Sequence, residues 1–213
     1  MLDLRRVALV IDLDNKQLQQ YNFSQQQMKL MKELQTMEES LYNRSLLHGY
    51  WDTMFNTTGI HPDTREGCGM AIVRNNLYIF GGFARELYND MRVLNLGTRY
   101  WSQITYTSEF VPKSRARFSM NVFEDSLVLF GGEGETLINT NQKECFGNIA
   151  IFNTKTRAWK KHEPPQYAPI RKRCGHVAGM YGSLLLVYGG KDTMARTVLG
   201  DFFAFDLNDE KFV

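Results

Sequence analysis

The chain has 213 residues, with 25 basic and 23 acidic side chains, a formal charge of +2 and 43% apolar residues. Those proportions belong to one or two ordinary globular domains and exclude the disordered and fibrous classes. The near balance of charge gives no global argument for nucleic acid or an anionic membrane surface, so any such contact needs a local patch.

In chain order, the opening segment MLDLRRVALVIDLD carries an apolar run from Val7 to Ile11. It is too short for a signal-peptide core or a membrane span, and no targeting signal is read. Residues 19–49 read as a helical insertion. Ser24-Gln-Gln-Gln27 is a capping box, in which the serine oxygen accepts from an early amide and the glutamine reaches back. A helix is predicted from about Gln25 to Leu47. Leu30, Leu34, Met37 and Leu41 follow one another at helical spacing with Met28 and Met31 alongside, while Lys32, Glu33, Glu38 and Glu39 flank or oppose them. Such a stripe needs a cover, either the chain itself or a protein partner docking on adaptable methionines.

From residue 62 onward the chain repeats. Apolar strands close on glycine doublets at Gly81/Gly82, Gly131/Gly132 and Gly189/Gly190, and sixteen residues before each doublet stands an arginine: Arg65, Arg115 and Arg173. A large aromatic follows at a looser distance, Trp101, Trp159 and Phe212. The unit is therefore about fifty residues of strands and turns, a period that predicts a propeller of four-stranded blades. The units run near 62–105, 112–163 and 170–213. Leu77-Tyr-Ile-Phe80, Leu127-Val-Leu-Phe130 and Leu184-Leu-Leu-Val-Tyr188 are apolar at nearly every position, so both faces of these strands need covering. Glycine at the strand end permits positive φ and close backbone approach. Each aromatic is expected to fill the wedge between neighbouring twisted blades.

These residues resemble the kelch repeat: arginine then Gly-His in a first strand, Gly-Gly ending the second, a D/N-rich turn after the third, and tryptophan opening the fourth. The resemblance covers Trp51 to Val213. Only the third unit has the whole Arg173-x-Gly175-His176; Gly67-Cys68 and Arg117-Phe118 stand at those places in the others. Val10-Ile-Asp-Leu-Asp-Asn15 can be laid over Ala204-Phe-Asp-Leu-Asn-Asp209, so residues 1–18 read as the third strand of an incomplete blade whose fourth strand opens at Trp51.

The resemblance implies an all-β, kelch-type propeller, partial at about three and a half blades, with one inserted α-helix. Since closed propellers have four to eight blades, further blades are expected from additional sequence or from another chain.

No cofactor, metal or catalytic set is read. His48, His61, His162 and His176 have no metal-ligand spacing, and Gly131-Gly-Glu-Gly134 lacks the lysine and helix of a phosphate loop. Cys68, Cys145 and Cys174 form no CxxC and leave one unmatched, which fits a reducing, intracellular compartment. Lys113 and Arg117, with Arg171 and Lys172, occupy the same place in successive units and should share one rim. They are either solvated or structurally paired, or a site for acidic protein, phosphate or nucleic acid.

The expected function is a non-catalytic scaffold or adaptor binding protein partners in an intracellular assembly. By resemblance the address is cytoplasmic, with cytoskeleton or cilium included. The competing readings are a metal-dependent propeller enzyme, and a structural subunit completed by a partner chain. Membrane insertion and nucleic-acid binding are not expected.

Overall fold

A computed structural model describes residues 56–213, apart from 139 and 167–169, together with Lys29, Lys32, Glu33 and Thr36. The chain divides after Thr53 into two compact units. In the first, the four described residues are helical and exposed. Lys29 stands 4.0 Å from Glu33, and the Thr36 hydroxyl donates to the Lys32 carbonyl at 2.8 Å. Met28, Leu30, Met31, Leu34, Met37 and Leu41, like the strand read in residues 1–18 and Trp51, lie outside the described residues.

The second unit is built almost entirely of strands. The first sheet contains β1 (Thr58–Gly59), β2 (Gly69–Val73), β3 (Asn76–Phe80), β4 (Met91–Asn95) and β5 (Tyr100–Gln103), in the order β1-β5-β4-β3-β2. In the second sheet β6 (Ser119–Phe123), β7 (Ser126–Phe130), β10 (Ile149–Asn153) and β11 (Ala158–His162) form a meander. Its second-to-third connection carries a small hairpin, β8 (Glu133–Thr136) with β9 (Lys143–Cys145). The third sheet repeats this plan with β12 (Val177–Tyr181), β13 (Leu184–Tyr188), β16 (Phe202–Asp206) and β17 (Lys211–Phe212), and a hairpin of β14 (Lys191–Asp192) with β15 (Thr197–Val198). Neighbouring strands within each meander are antiparallel; the two-residue β1 adds itself in parallel to β5, Thr58 opposite Tyr100.

The sheets stack face to face, and β7 shows why its sequence is apolar throughout. Leu127 and Leu129 point into one core with Tyr78, Phe80, Phe152 and Trp159, while Val128 and Phe130 point into another with Leu185, Val187, Phe203 and Phe205. Leu127, Val128, Leu129 and Phe130 are all fully buried. In β13, Leu185 and Val187 enter the second core, but the opposite face of that sheet presents Val177, Tyr181, Tyr188 and Phe202 to the outside, each more than half exposed.

The short turns between third and fourth strands share one device. Asn95 Oδ1 accepts from the amides of Gly97 and Thr98, Asn153 Oδ1 from those of Lys155 and Thr156, and Asp206 Oδ1 from that of Asn208, at 2.9–3.1 Å. A short Asx side chain substitutes for backbone and closes the turn. Among the described residues no helix is long and apolar enough to cross a membrane.

Candidate functional site

Antiparallel order places the segment leading into each sheet and the connection between its second and third strands at one end of the sheet. That end carries the arginines, the glycine doublets and both small hairpins. The first two glycine doublets also tie their sheets to the next. The Gly82 amide donates to the Arg115 carbonyl and the Gly132 amide to the Arg173 carbonyl, both at 2.8 Å. A second strand of bonds runs alongside, Arg117 amide to Gly67 carbonyl and Gly175 amide to Arg117 carbonyl, again at 2.8 Å. Gly67 and Gly175 hold φ of 61° and 63°, and Arg117 in the equivalent place is held at 56°. A left-handed arginine costs on the order of 1 kcal/mol relative to glycine.

Each repeat arginine is anchored alike. Arg65, Arg115 and Arg173 donate through Nη1 to the carbonyls of Gly81, Gly131 and Gly189 at 3.0–3.1 Å. Through Nε they reach the carbonyls of Asp63, Lys113 and Arg171 at 3.1 Å. Arg65 also forms a bidentate pair with Asp90, at 2.6 and 3.3 Å, and Arg173 with Asp201, at 2.9 and 2.7 Å. Against the cost of burial, Arg65 and Arg92 hold the Asp90 carboxyl below the usual range, and Arg173 does the same for Asp201.

The two hairpins are tied together: the Thr193 hydroxyl donates to the Lys143 carbonyl at 2.9 Å, and Gln142 Nε2 to the Met194 carbonyl at 3.1 Å. Between them opens a polar cleft of about 440 Å³ lined by Arg117, Glu133, Lys143, Asp192 and Arg196 among others. Glu133 is almost wholly buried, with Lys143 Nζ at 2.8 Å and Arg117 Nε at 3.6 Å. Burial opposes its ionisation, yet Lys143 and Arg117 hold the carboxyl below its usual range. The Cys174 thiol donates to the same carboxylate at 3.6 Å, and the neighbouring Cys145 sulfur, burial and Glu133 together push that thiol up. From the sequence, the connections Glu133 to Gly147 and Lys191 to Gly200 stand out as loops of unequal length on a constant frame, where contacts are expected; their pairing into hairpins and the Glu133–Lys143 ion pair were not foreseen.

The rim residues chosen from sequence separate into two groups. Lys113 is paired with Glu144 at 2.9 Å, and Arg117 lies 3.6 Å from Glu133 and 3.8 Å from Glu66. Arg171 and Lys172 have no carboxylate within ion-pair distance among the described residues. His176 lies between sheets, its Nε2 3.0 Å from the Ser119 hydroxyl and its ring edge-on to Phe130. Burial first and the Arg173 charge second push its imidazole down to about 4, so the ring is neutral. Among the described residues, no three His, Cys, Asp or Glu side chains are grouped to hold a metal ion.

The aromatic positions pack as follows. Trp159 is buried against Phe152, Phe80 and Tyr106, with ring centroids 4.9, 5.1 and 6.0 Å away. Trp101 is buried at the outer edge of the first sheet near His61, and Phe212 stands beside Phe205 and Phe203 at 5.0 and 6.0 Å.

No curated protein matches the sequence. A solved structure described as "Structure of YjhT" aligns with a TM-score of 0.57 at 16% identity, over 70% of this chain and 51% of that one. The aligned part thus spans about half the length of that protein, and the likeness carries the fold alone. The family model for the KLHDC2/KLHL20/DRC7 Kelch-repeats domain matches residues 30–213. With three stacked meanders joined through arginine lead-ins and glycine doublets, the chain belongs to the kelch-repeat family.

Proposed function

We propose that this chain is a non-catalytic protein-interaction module of an intracellular assembly, and that the end of the sheets bearing the two hairpins is its partner surface. One observation carries the reading. The arginine-to-glycine carbonyl bonds recur in all three sheets, whereas the second-to-third connection changes from a short loop at 81–90 closed by a single antiparallel bridge, Phe83 to Leu87, to tied two-stranded hairpins at 133–145 and 191–198 that flank a charged cleft. Loops that differ on a constant scaffold are where contacts are made. The Arg117 guanidinium, 3.6 Å from the buried Glu133 carboxylate, belongs to the same surface. On this reading, the apolar outer face of the third sheet, around Tyr188 and Phe202, is covered by a further blade from additional sequence or a partner chain.

The test is proximity labelling in cells with the full chain and with a variant whose hairpin tip, residues 137–142, is replaced by a two-residue turn. Wild type and variant are first matched by circular dichroism. Loss of a defined group of neighbours from the variant is expected; an unchanged set would reject this surface.

A further inference from the structure

The second sheet departs from the other two at its arginine. Arg115 is 2% exposed, and its guanidinium lies over the Phe146 ring at 4.2 Å. Its Nε and Nη1 donate to the carbonyls of Lys113 and Gly131. Nη2, which in Arg65 and Arg173 reaches a carboxylate, has no acceptor among the described residues. The reason is one residue. Asp90, Asn148 and Asp201 each directly precede the third strand, and the carbonyl of each accepts from the first glycine of the doublet, at 3.3, 3.4 and 3.2 Å. Where two sheets have aspartate, the middle one has asparagine, and the Asn148 side chain makes no bond to Arg115. Burial pushes Arg115 down to about 10, which leaves it charged at neutral pH.

This cation, which lies in the field of Glu144 and Glu163 but has no carboxylate at hydrogen-bond distance among the described residues, does not face a packed core. It lines a cleft of about 410 Å³ shared with Asn148, Phe146, Lys113, Lys161 and Lys172. Gly147 has no side chain to collide with Lys172, whose Cγ would lie 3.2 Å from a Cβ there. Glu144 and Glu163 also border the cleft, but they are engaged by Lys113 and Lys161. Four cations against two carboxylates leave an excess of positive charge, with Arg115 and Lys172 unpaired among the described residues. A planar, singly charged group fits better than a phosphate, because the two glutamates repel a multiply charged ligand and the guanidinium fork matches a carboxylate.

We infer that the Arg115 cleft is a binding site for a carboxylate, which enters from outside and takes the place that Asp90 and Asp201 fill in the neighbouring sheets. The carboxylate belongs to an acidic side chain of a bound protein or to a free small acid; the chemistry at Arg115 is the same. Although Glu144 of β9 borders the cleft, this inference does not require the hairpins to bind a partner and survives the failure of that reading.

The experiment uses the full chain, wild type and Asn148→Asp, at constant ionic strength set with chloride. Acetate, the blocked peptide acetyl-Ala-Asp-Ala-amide and inorganic phosphate are titrated separately while the Arg115 Nε–Hε resonance and the melting temperature are followed. In the absence of ligand, Asn148→Asp is expected to melt about 3 °C above wild type, since it restores the internal pair. For wild type, acetate should move the Arg115 resonance saturably and raise the melting temperature. The Asn148→Asp variant should show neither response, its own carboxylate occupying the site. A matching response to the blocked peptide assigns the site to acidic side chains, and a response to acetate alone assigns it to free acids. The inference is overturned if neither carboxylate gives a saturable shift, if phosphate acts as strongly, or if Asn148→Asp responds like wild type.

Discussion

Replacing Gly131 with alanine is expected to lower stability by about 3 kcal/mol, whereas the same change at Gly189 costs about 1 kcal/mol. Both glycines hold φ of 69°, so the left-handed penalty of roughly 1 kcal/mol is common to the two variants. What differs is the neighbour. A Cβ on Gly131 would meet the Arg173 carbonyl oxygen at 2.5 Å and His176 Cε1 at 2.9 Å, both on the following sheet. A Cβ on Gly189 would meet only the Leu199 carbonyl oxygen, at 3.5 Å, among the described residues. The Gly131 variant must push two sheets apart or break the bond from the Gly132 amide to that same carbonyl. Thermal unfolding reads the contrast as a melting drop of about 9 °C against about 3 °C. Equal drops would mean that the doublet is only a turn device and not a junction between sheets.

Truncating Trp159 to alanine should cost about 4 kcal/mol, among the largest losses any single core substitution in this chain can give. The indole fills the space between the first two sheets, in contact with Phe80 of one and Phe152 of the other. Alanine removes that area from both and leaves a cavity that stacked strands cannot close, because their separation is fixed by the backbone bonds at the glycine end. Trp159→Phe is the control. The indole Nε1 is buried and has no hydrogen-bond acceptor among the described residues, so phenylalanine removes an unsatisfied donor along with part of the ring. Its expected cost is under about 1.5 kcal/mol. Chemical denaturation of the two variants decides whether the position acts through volume; a phenylalanine variant as unstable as the alanine one would require a specific role for the indole.

The features legible in the sequence are those whose chemistry is local. Continuous apolarity in β7 follows from burial on both faces, and it can be read without knowing what lies on either side. The turn at Asn153 is written in a side chain that bonds amides two and three residues on. The hairpins were not legible. Segments such as Glu133–Thr136 and Lys191–Asp192 have no apolar alternation, and they are held by bonds between residues about fifty positions apart, as from Thr193 to Lys143. The same holds for β1, two residues paired with a strand some forty residues later. The Asp90 and Asp201 carboxylates lie 25 and 28 residues from their arginines, beyond connections of unequal length. No fixed register from the glycines exposes Asn148 as the odd member of that set. Basic residues at 113, 117, 171 and 172 could be placed on one rim from the repeat, but not sorted into paired and unpaired, since Glu144 and Glu133 reach the rim through the hairpin.

Consecutive sheets are locked through the Gly82 and Gly132 amides, so that the hairpin-bearing end is a fixed surface. Residue-resolved amide hydrogen exchange on the unmodified chain tests this directly. The Gly82 and Gly132 amides, bound to carbonyls of the next sheet at 2.8 Å, should be protected as strongly as the central strand amides of β7, and far more than the Gly190 amide, which meets no described carbonyl in that place. Exchange at Gly82 and Gly132 as fast as at Gly190 would show that the sheets are not joined there and would contradict the account.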